Sequence, residues 1–122
     1  MKTCLVVDDS RVVRKIAIRI ENELGFTCEE AGDGKQALEQ CQKAMPDAVL
    51  LDWKMPVMNG PEFLEKLRKL ANGKHPKVIF CSTENARVNI QKAIKAGADE
   101  YIMKPFDRDI IESKFRQVGL LD

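Results

Sequence analysis

Five short apolar runs recur along the chain, and each is followed by a segment whose apolar residues fall at helical spacing. This alternation constrains the fold more than any other feature. The runs are Thr3–Val7, residues 26–31, 47–51 and 78–81, and Glu100–Met103. The third is apolar along Ala48, Val49, Leu50 and Leu51, as expected of a strand covered on both faces. Helical spacing links Val12, Val13, Ile16, Ala17, Ile20 and Leu24 in the first intervening segment, then Ala37, Leu38, Cys41 and Met45 in the second. It recurs in Phe63, Leu64, Leu67 and Leu70, in Ala86, Ile90, Ala93 and Ile94, and in Ile110, Ile111, Phe115 and Val118. Gly25, Pro46, Asn72-Gly73 and Gly97 stop helices, and Pro61 suits a first helical turn. Glu29-Glu30 in the second run suggests a sheet edge. The pattern predicts one doubly wound (βα)₅ α/β domain over residues 1–122, a parallel sheet with helices on both faces and no linker or repeat.

In open sheets of this kind ligands bind beyond the carboxyl ends of the strands. Those ends carry Asp8 and Asp9 after the first run, Asp52 after the third, Ser82 and Thr83 after the fourth, and Lys104 after the fifth. Taken singly, each has an ordinary structural role. Asp8, Ser10, Ser82 or Thr83 would cap a helix, Asp52 would start a loop, and Lys104 would be solvated. Gathered on one rim they are complementary. Clustered carboxylates repel and call for a cation, and a spare carboxylate beside a divalent metal is suited to taking up a phosphoryl group.

The composition removes several other classes. Twenty basic and nineteen acidic residues leave a formal charge of +1, with no basic stripe. Neither nucleic acid nor a membrane surface is called for. No apolar stretch approaches the ~20 residues of a membrane span, and Met1-Lys2-Thr3 leads into a run too short for a signal peptide. Cys4, Cys28, Cys41 and Cys81 are widely and irregularly spaced, which reads as free thiols in a reducing cytoplasm. His75, the only histidine, precedes Pro76 in a loop and reads as a surface residue.

Over its full length the sequence resembles the receiver domains of bacterial two-component response regulators, with single-domain chemotaxis regulators looking closest. The matching pieces are Val6-Val7-Asp8-Asp9-Ser10, Asp52-Trp53-Lys54-Met55-Pro56-Val57-Met58-Asn59-Gly60, Ser82 after Ile79-Phe80-Cys81, Ala96-Gly97-Ala98, and Lys104-Pro105-Phe106. The resemblance implies the flavodoxin-like strand order 2-1-3-4-5, for which chemotaxis receivers are a standard example. It further implies that Asp52 accepts a phosphoryl group from a histidine kinase. Asp9, Asp52 and the Lys54 main-chain carbonyl would bind Mg²⁺ directly, or Mn²⁺ in its place, and Asp8 through water. Magnesium prefers oxygen ligands and works with a few carboxylates plus phosphate. Lys104 and Ser82 would contact the phosphoryl oxygens, and Tyr101 would act as a switch aromatic whose ring turns inward. Lys104-Pro105 matches a peptide bond that is usually cis in the family.

Charge arithmetic agrees with that reading. Three carboxylates face Mg²⁺ and Lys104, so the resting site is near neutral. An acyl phosphate adds about one negative charge, and the new oxygens find donors in Ser82 and Lys104, each worth ~1.5–3 kcal/mol. Two positions depart from the family pattern. Thr83 stands where a small residue is usual, and Lys54 sits close enough for an ion pair with Glu84; both bear on acyl-phosphate lifetime. The target-binding face implied is helix 4, strand 5 and helix 5, with Arg87, Ile90, Ile94, Lys95 and Tyr101 as candidates.

The expectation is a stand-alone, monomeric, cytoplasmic regulator without an output domain. It catalyses only its own phosphorylation and dephosphorylation and signals by protein contact, with chemotaxis or motility one setting. The alternative is a phosphate shuttle or sink in a phosphorelay. A phosphate-releasing hydrolase with an aspartate nucleophile fits less well, since such enzymes often carry Asp-x-Asp on the first strand. A flavin or nucleotide module would want a Gly-rich loop after that strand.

Overall fold

The computed structural model describes residues 2–83 and 87–122, with residues 87–89 described by their backbone alone. Strands and helices alternate as β1 (Thr3–Val7), α1 (Arg11–Glu23), β2 (Thr27–Ala31), α2 (Gly34–Lys43), β3 (Ala48–Asp52), α3 (Gly60–Arg68), β4 (Lys77–Ser82), α4 (Arg87–Lys95), β5 (Glu100–Met103) and α5 (Arg108–Gln117). All strand pairings are parallel. The order is β2-β1-β3-β4-β5, as the resemblance implies. It puts β2 at an edge, where Glu29 and Glu30 are exposed.

Side chains alternate across the sheet with the period of two that a strand requires. Leu5, Val7, Val49, Leu51, Val78, Phe80 and Tyr101 pack with Ala37, Cys41, Phe63, Leu64, Leu67 and Ala93 of α2, α3 and α4. Cys4, Val6, Ala48, Leu50, Ile79, Cys81 and Ile102 pack with Ala17, Ile111 and Phe115 of α1 and α5. Burying a large apolar side chain stabilises by ~1.5–3 kcal/mol; Phe63, Phe80 and Phe115, all fully buried, are the largest such contributors. Ser10, Asp33, Asn59 and Asp107 cap α1, α2, α3 and α5, each accepting from the backbone N–H three residues on. A cap of this kind is worth ~1 kcal/mol.

Strand limits differ slightly from the sequence reading, for local reasons. Phe26 falls outside β2 because its N–H closes α1 by donating to the Glu21 carbonyl at 3.0 Å, and its ring meets Phe115 edge-on at 5.1 Å. β3 begins one residue late because the Asp47 carboxylate accepts from the Thr3 N–H at 2.9 Å, and it runs on to include Asp52. Lys77 and Ser82 extend β4 by one residue at each end. Ala86, read as the start of helix four, lies outside the described residues.

One side chain ties the far end of the sheet together. Arg68, at the end of α3, donates to the carbonyls of Gly73 (2.9 Å), Pro76 (2.9 Å) and Gly97 (2.8 Å) and to Asp99 Oδ2 at 3.3 Å. Removing it strands carbonyls near the sheet edge, so Arg68→Ala is expected to cost ~2–4 kcal/mol in urea unfolding. A loss under ~1 kcal/mol would contradict this role for the guanidinium.

Candidate functional site

Strand order delivers the rim that the sequence suggested. β1 lies between β2 and β3, so Asp8, the residue after β1, comes beside Asp52, the last residue of β3. β4 places its last residue, Ser82, next to Met103 of β5, and the chain continues into Lys104. The Lys104 N–H donates to the Ser82 carbonyl at 2.8 Å, fixing the lysine's origin. The Lys104-Pro105 bond is cis.

From there Lys104 Nζ donates to Asp8 Oδ2 at 2.7 Å and to Asp52 Oδ1 at 3.1 Å. Asp8 is 3% exposed and Asp52 7%, whereas Asp9 is exposed. The other Asp8 oxygen, Oδ1, accepts from the Ser10 N–H at 2.9 Å. Capping of α1 is done by Ser10, whose Oγ accepts from the Val13 N–H at 3.3 Å. Asp8 and Asp9 are therefore not spent as caps.

Oxygens of Asp8, Asp9 and Asp52 lie within 4.8 Å of one another. Burial pushes the Asp52 carboxyl up from 3.8 to about 6, Asp8 adds to the rise, and Lys104 only partly offsets it. One lysine thus leaves this cluster short of positive charge. Three carboxylates, one open to water, form an all-oxygen donor set of the kind that hard divalent cations take. The residues fit Mg²⁺.

The loop after Asp52 is held close. Trp53 N–H donates to the Cys81 carbonyl at 3.3 Å, and its ring lies 4.8 Å from that of Phe80 at a tilt of 52°. Gly60 N–H donates to the Trp53 carbonyl at 3.0 Å, and Gly34 N–H to the Met58 carbonyl at 3.1 Å. A Cβ on Gly60 would overlap the Asp52 carbonyl oxygen and the Phe80 ring. Only glycine allows α3 to start this close to the acceptor strand. Val57 sits at φ 67° and is 75% exposed. A left-handed β-branched residue costs ~1–3 kcal/mol; no residue pattern in the sequence marked it.

The remaining candidates divide. Ser82 is buried at the rim, and Thr83 is exposed, lining a cavity with Val13, Ile16, Lys104, Pro105 and Phe106. Lys54 is exposed, while Glu84, its suggested ion-pair partner, lies outside the described residues. On the α4–β5 side Ile90 is half-buried, and Ile94 (47%) and Lys95 are exposed; the Arg87 side chain is outside the description. Tyr101 is 5% exposed and packs in the core, so its ring already lies inward. His75 is on the surface as expected, and its Nε2 stands 3.0 Å from Asp47 Oδ1. That contact joins the loop before β4 to the start of β3, at the end opposite the acidic cluster.

Comparison with known proteins agrees with this geometry. The profile of the family described as response regulator receiver domain matches residues 4–116. The chain is 36% identical to chemotaxis protein CheY-3 of Vibrio cholerae over 115 residues, 93% of this chain and 88% of that protein. It superposes on the chemotaxis response regulator CheY4 of Vibrio cholerae with a TM-score of 0.91 at 31% identity, covering 97% and 98% of the two chains. A CheY of Borrelia burgdorferi, solved in a complex with CheX, BeF₃ and Mg²⁺, matches with a TM-score of 0.89 at 28% identity over 96% of this chain and 88% of that one. Among the described residues no helix is long and apolar enough to cross a membrane.

Proposed function

The chain belongs to the response regulator receiver family, and from that premise we propose that it is a phosphorylation switch: Asp52 takes a phosphoryl group from a histidine kinase and the domain then engages a protein target. One observation carries this reading. Lys104 bridges Asp8 and Asp52 at 2.7 and 3.1 Å on a rim where a third carboxylate, Asp9, brings an oxygen within 4.8 Å of theirs.

In transfer, an Asp52 carboxylate oxygen attacks phosphorus in line as the bond from phosphorus to the donor imidazole breaks. Asp9, Asp52 and the Lys54 carbonyl would hold Mg²⁺, with Asp8 behind a water. When bound, the ion neutralises charge on the transferring oxygens. Lys104 turns from the carboxylates toward the incoming oxygens, and the Ser82 hydroxyl donates to one of them. The protein's part is positioning and fixed charge. Two new charge-assisted hydrogen bonds, at ~1.5–3 kcal/mol each, suffice to tilt a conformational equilibrium whose gap is a few kcal/mol.

The switched surface is α4–β5–α5, where Ile94 and Lys95 stand exposed near the β5 strand that leads to Lys104. That the Borrelia relative was solved in a complex with CheX, BeF₃ and Mg²⁺ supports a protein target for the switched form. Trp53 reports on the first step because it adjoins Asp52. Its fluorescence is expected to change on adding Mg²⁺ and again on adding beryllofluoride, a phosphoryl mimic. A flat signal to both additions in folded protein would sink the proposal.

A further inference from the structure

On the α1/α5 face, at the end of the sheet away from Asp52, two cysteines and a glutamate meet that the acidic cluster does not use. Cys4 and Cys28 are register partners on β1 and β2. Such partners in a parallel ladder share a face, with strands ~4.8 Å apart, which is within the ~4.4–6.8 Å Cα separation a disulfide spans. Glu21 of α1 is 0% exposed and packs against the pair. Its Oε1 accepts from Cys28 Sγ at 3.9 Å, and its Oε2 meets no donor among the described residues. All four thiols are free; Cys28 is half-buried on the edge strand, and Cys4 is closed in. The other two cannot compete at this place. Cys41 belongs to the opposite face, and Cys81 lies on β4, separated from β1 by β3.

We propose that Cys4 and Cys28 are an oxidisable thiol pair, converted by a peroxide to an intramolecular disulfide, with Glu21 as the base that takes the Cys28 proton and passes it to the leaving hydroxide. Cys28, the accessible partner, gives its proton to Glu21, and its sulfur attacks a peroxide oxygen. The O–O bond breaks, Cys28 becomes a sulfenic acid, and the released hydroxide takes the proton from Glu21 to leave as water. The Cys4 sulfur then attacks the sulfenic sulfur. The S–O bond breaks and a second water leaves with the Cys4 proton. Two thiols and one peroxide thus give one disulfide and two waters. Burial holds the Cys28 thiol up to about 12, with Glu21 and Glu29 adding to the rise. The pair is therefore slow, and because Glu21 takes the proton, the rate rises only as Glu21 ionises, through about pH 7, and levels off above it. Oxidation also withdraws the Cys28 donor from Glu21 and crosslinks β2 to β1, the strand that leads into Asp8 and Asp9. The proposal stands independently of phosphorylation.

The test is oxidation of the whole chain by hydrogen peroxide between about pH 5 and 9, followed by intact mass and peptide mapping. A mass loss of ~2 Da, half of the thiol titre gone, a Cys4–Cys28 crosslinked peptide and a rate that rises through about pH 7 and then levels off are the expected results. Cys4→Ser is expected to stop at a sulfenic acid on Cys28 that dimedone traps, and Cys28→Ser to give no ~2 Da loss. A crosslink through Cys41 or Cys81, a disulfide-linked dimer, oxygen addition without crosslinking, or four unchanged thiols in the wild type would each overturn it.

Discussion

Asp52→Asn is expected to reduce Mg²⁺-dependent labelling by acetyl phosphate to background, while the folded protein persists. The amide is isosteric and keeps an oxygen facing Lys104 Nζ, now 3.1 Å from Oδ1. It lacks the anionic oxygen that attacks phosphorus, and it takes one of three carboxylates from the cluster. Stability moves the other way. Burial and Asp8 hold the Asp52 carboxyl at about 6, so its ionised form is strained at neutral pH, and a neutral amide relieves that. Unfolding at pH 7 in metal-free buffer should therefore show an unchanged or higher urea midpoint alongside the lost labelling. Undiminished labelling of the variant would show that the acceptor is another residue.

The second large effect lies at Glu21, far from that chemistry. This carboxyl is fully buried in the α1/α5 layer, and burial pushes it up from 4.5 to about 7, the nearby thiols offsetting only part of the rise. A raised carboxyl binds its proton more tightly in the folded chain than in the unfolded one. Its stabilising contribution is complete below about pH 4.5 and is lost as pH climbs through about 7. At ~1.4 kcal/mol per pH unit, the ionised form costs the fold about 3 kcal/mol at pH 8. Glu21→Met removes both the charge and the unpartnered Oε2. It is expected to unfold about 3 kcal/mol later than wild type at pH 8, with the gap shrinking toward pH 5. Asp52 has the same sign, so the comparison is the difference between the two proteins, in which its contribution cancels. Urea titrations at several pH values measure it; a difference that does not vary with pH would refute the assignment.

Much of this molecule is legible in local pattern, and the failures have a common origin. The five strands and five helices follow from apolar spacing, and the edge position of β2 follows from Glu29-Glu30. Each is a property of neighbours in sequence. Glu21 reads as a polar position on an amphipathic helix, yet it is buried, because α1 lies across β1 and β2 where Cys4 and Cys28 face it. Gly60 reads as the end of a loop ahead of Pro61, and only the packing of α3 on Asp52 and Phe80 makes it the helix's first residue and a steric requirement. Tyr101 is expected to move inward on switching but is inward already, since a strand's periodicity sets its face and not its ring rotamer. The capping role of Ser10 was legible; that it leaves Asp8 to Lys104 was not.

By itself the sequence determined the (βα)₅ alternation and set two acids, one acid, a hydroxyl and a lysine at the ends of β1, β3, β4 and β5. Those depend on periods of 2 and 3.6 residues, which the chain carries locally. Tertiary structure alone decided that Lys104 meets Asp8, 96 residues away, more closely than it meets Asp52, and that a glutamate is sealed beside two thiols. Such contacts depend on strand order and register, and these are settled only when the two faces of the sheet are covered at once.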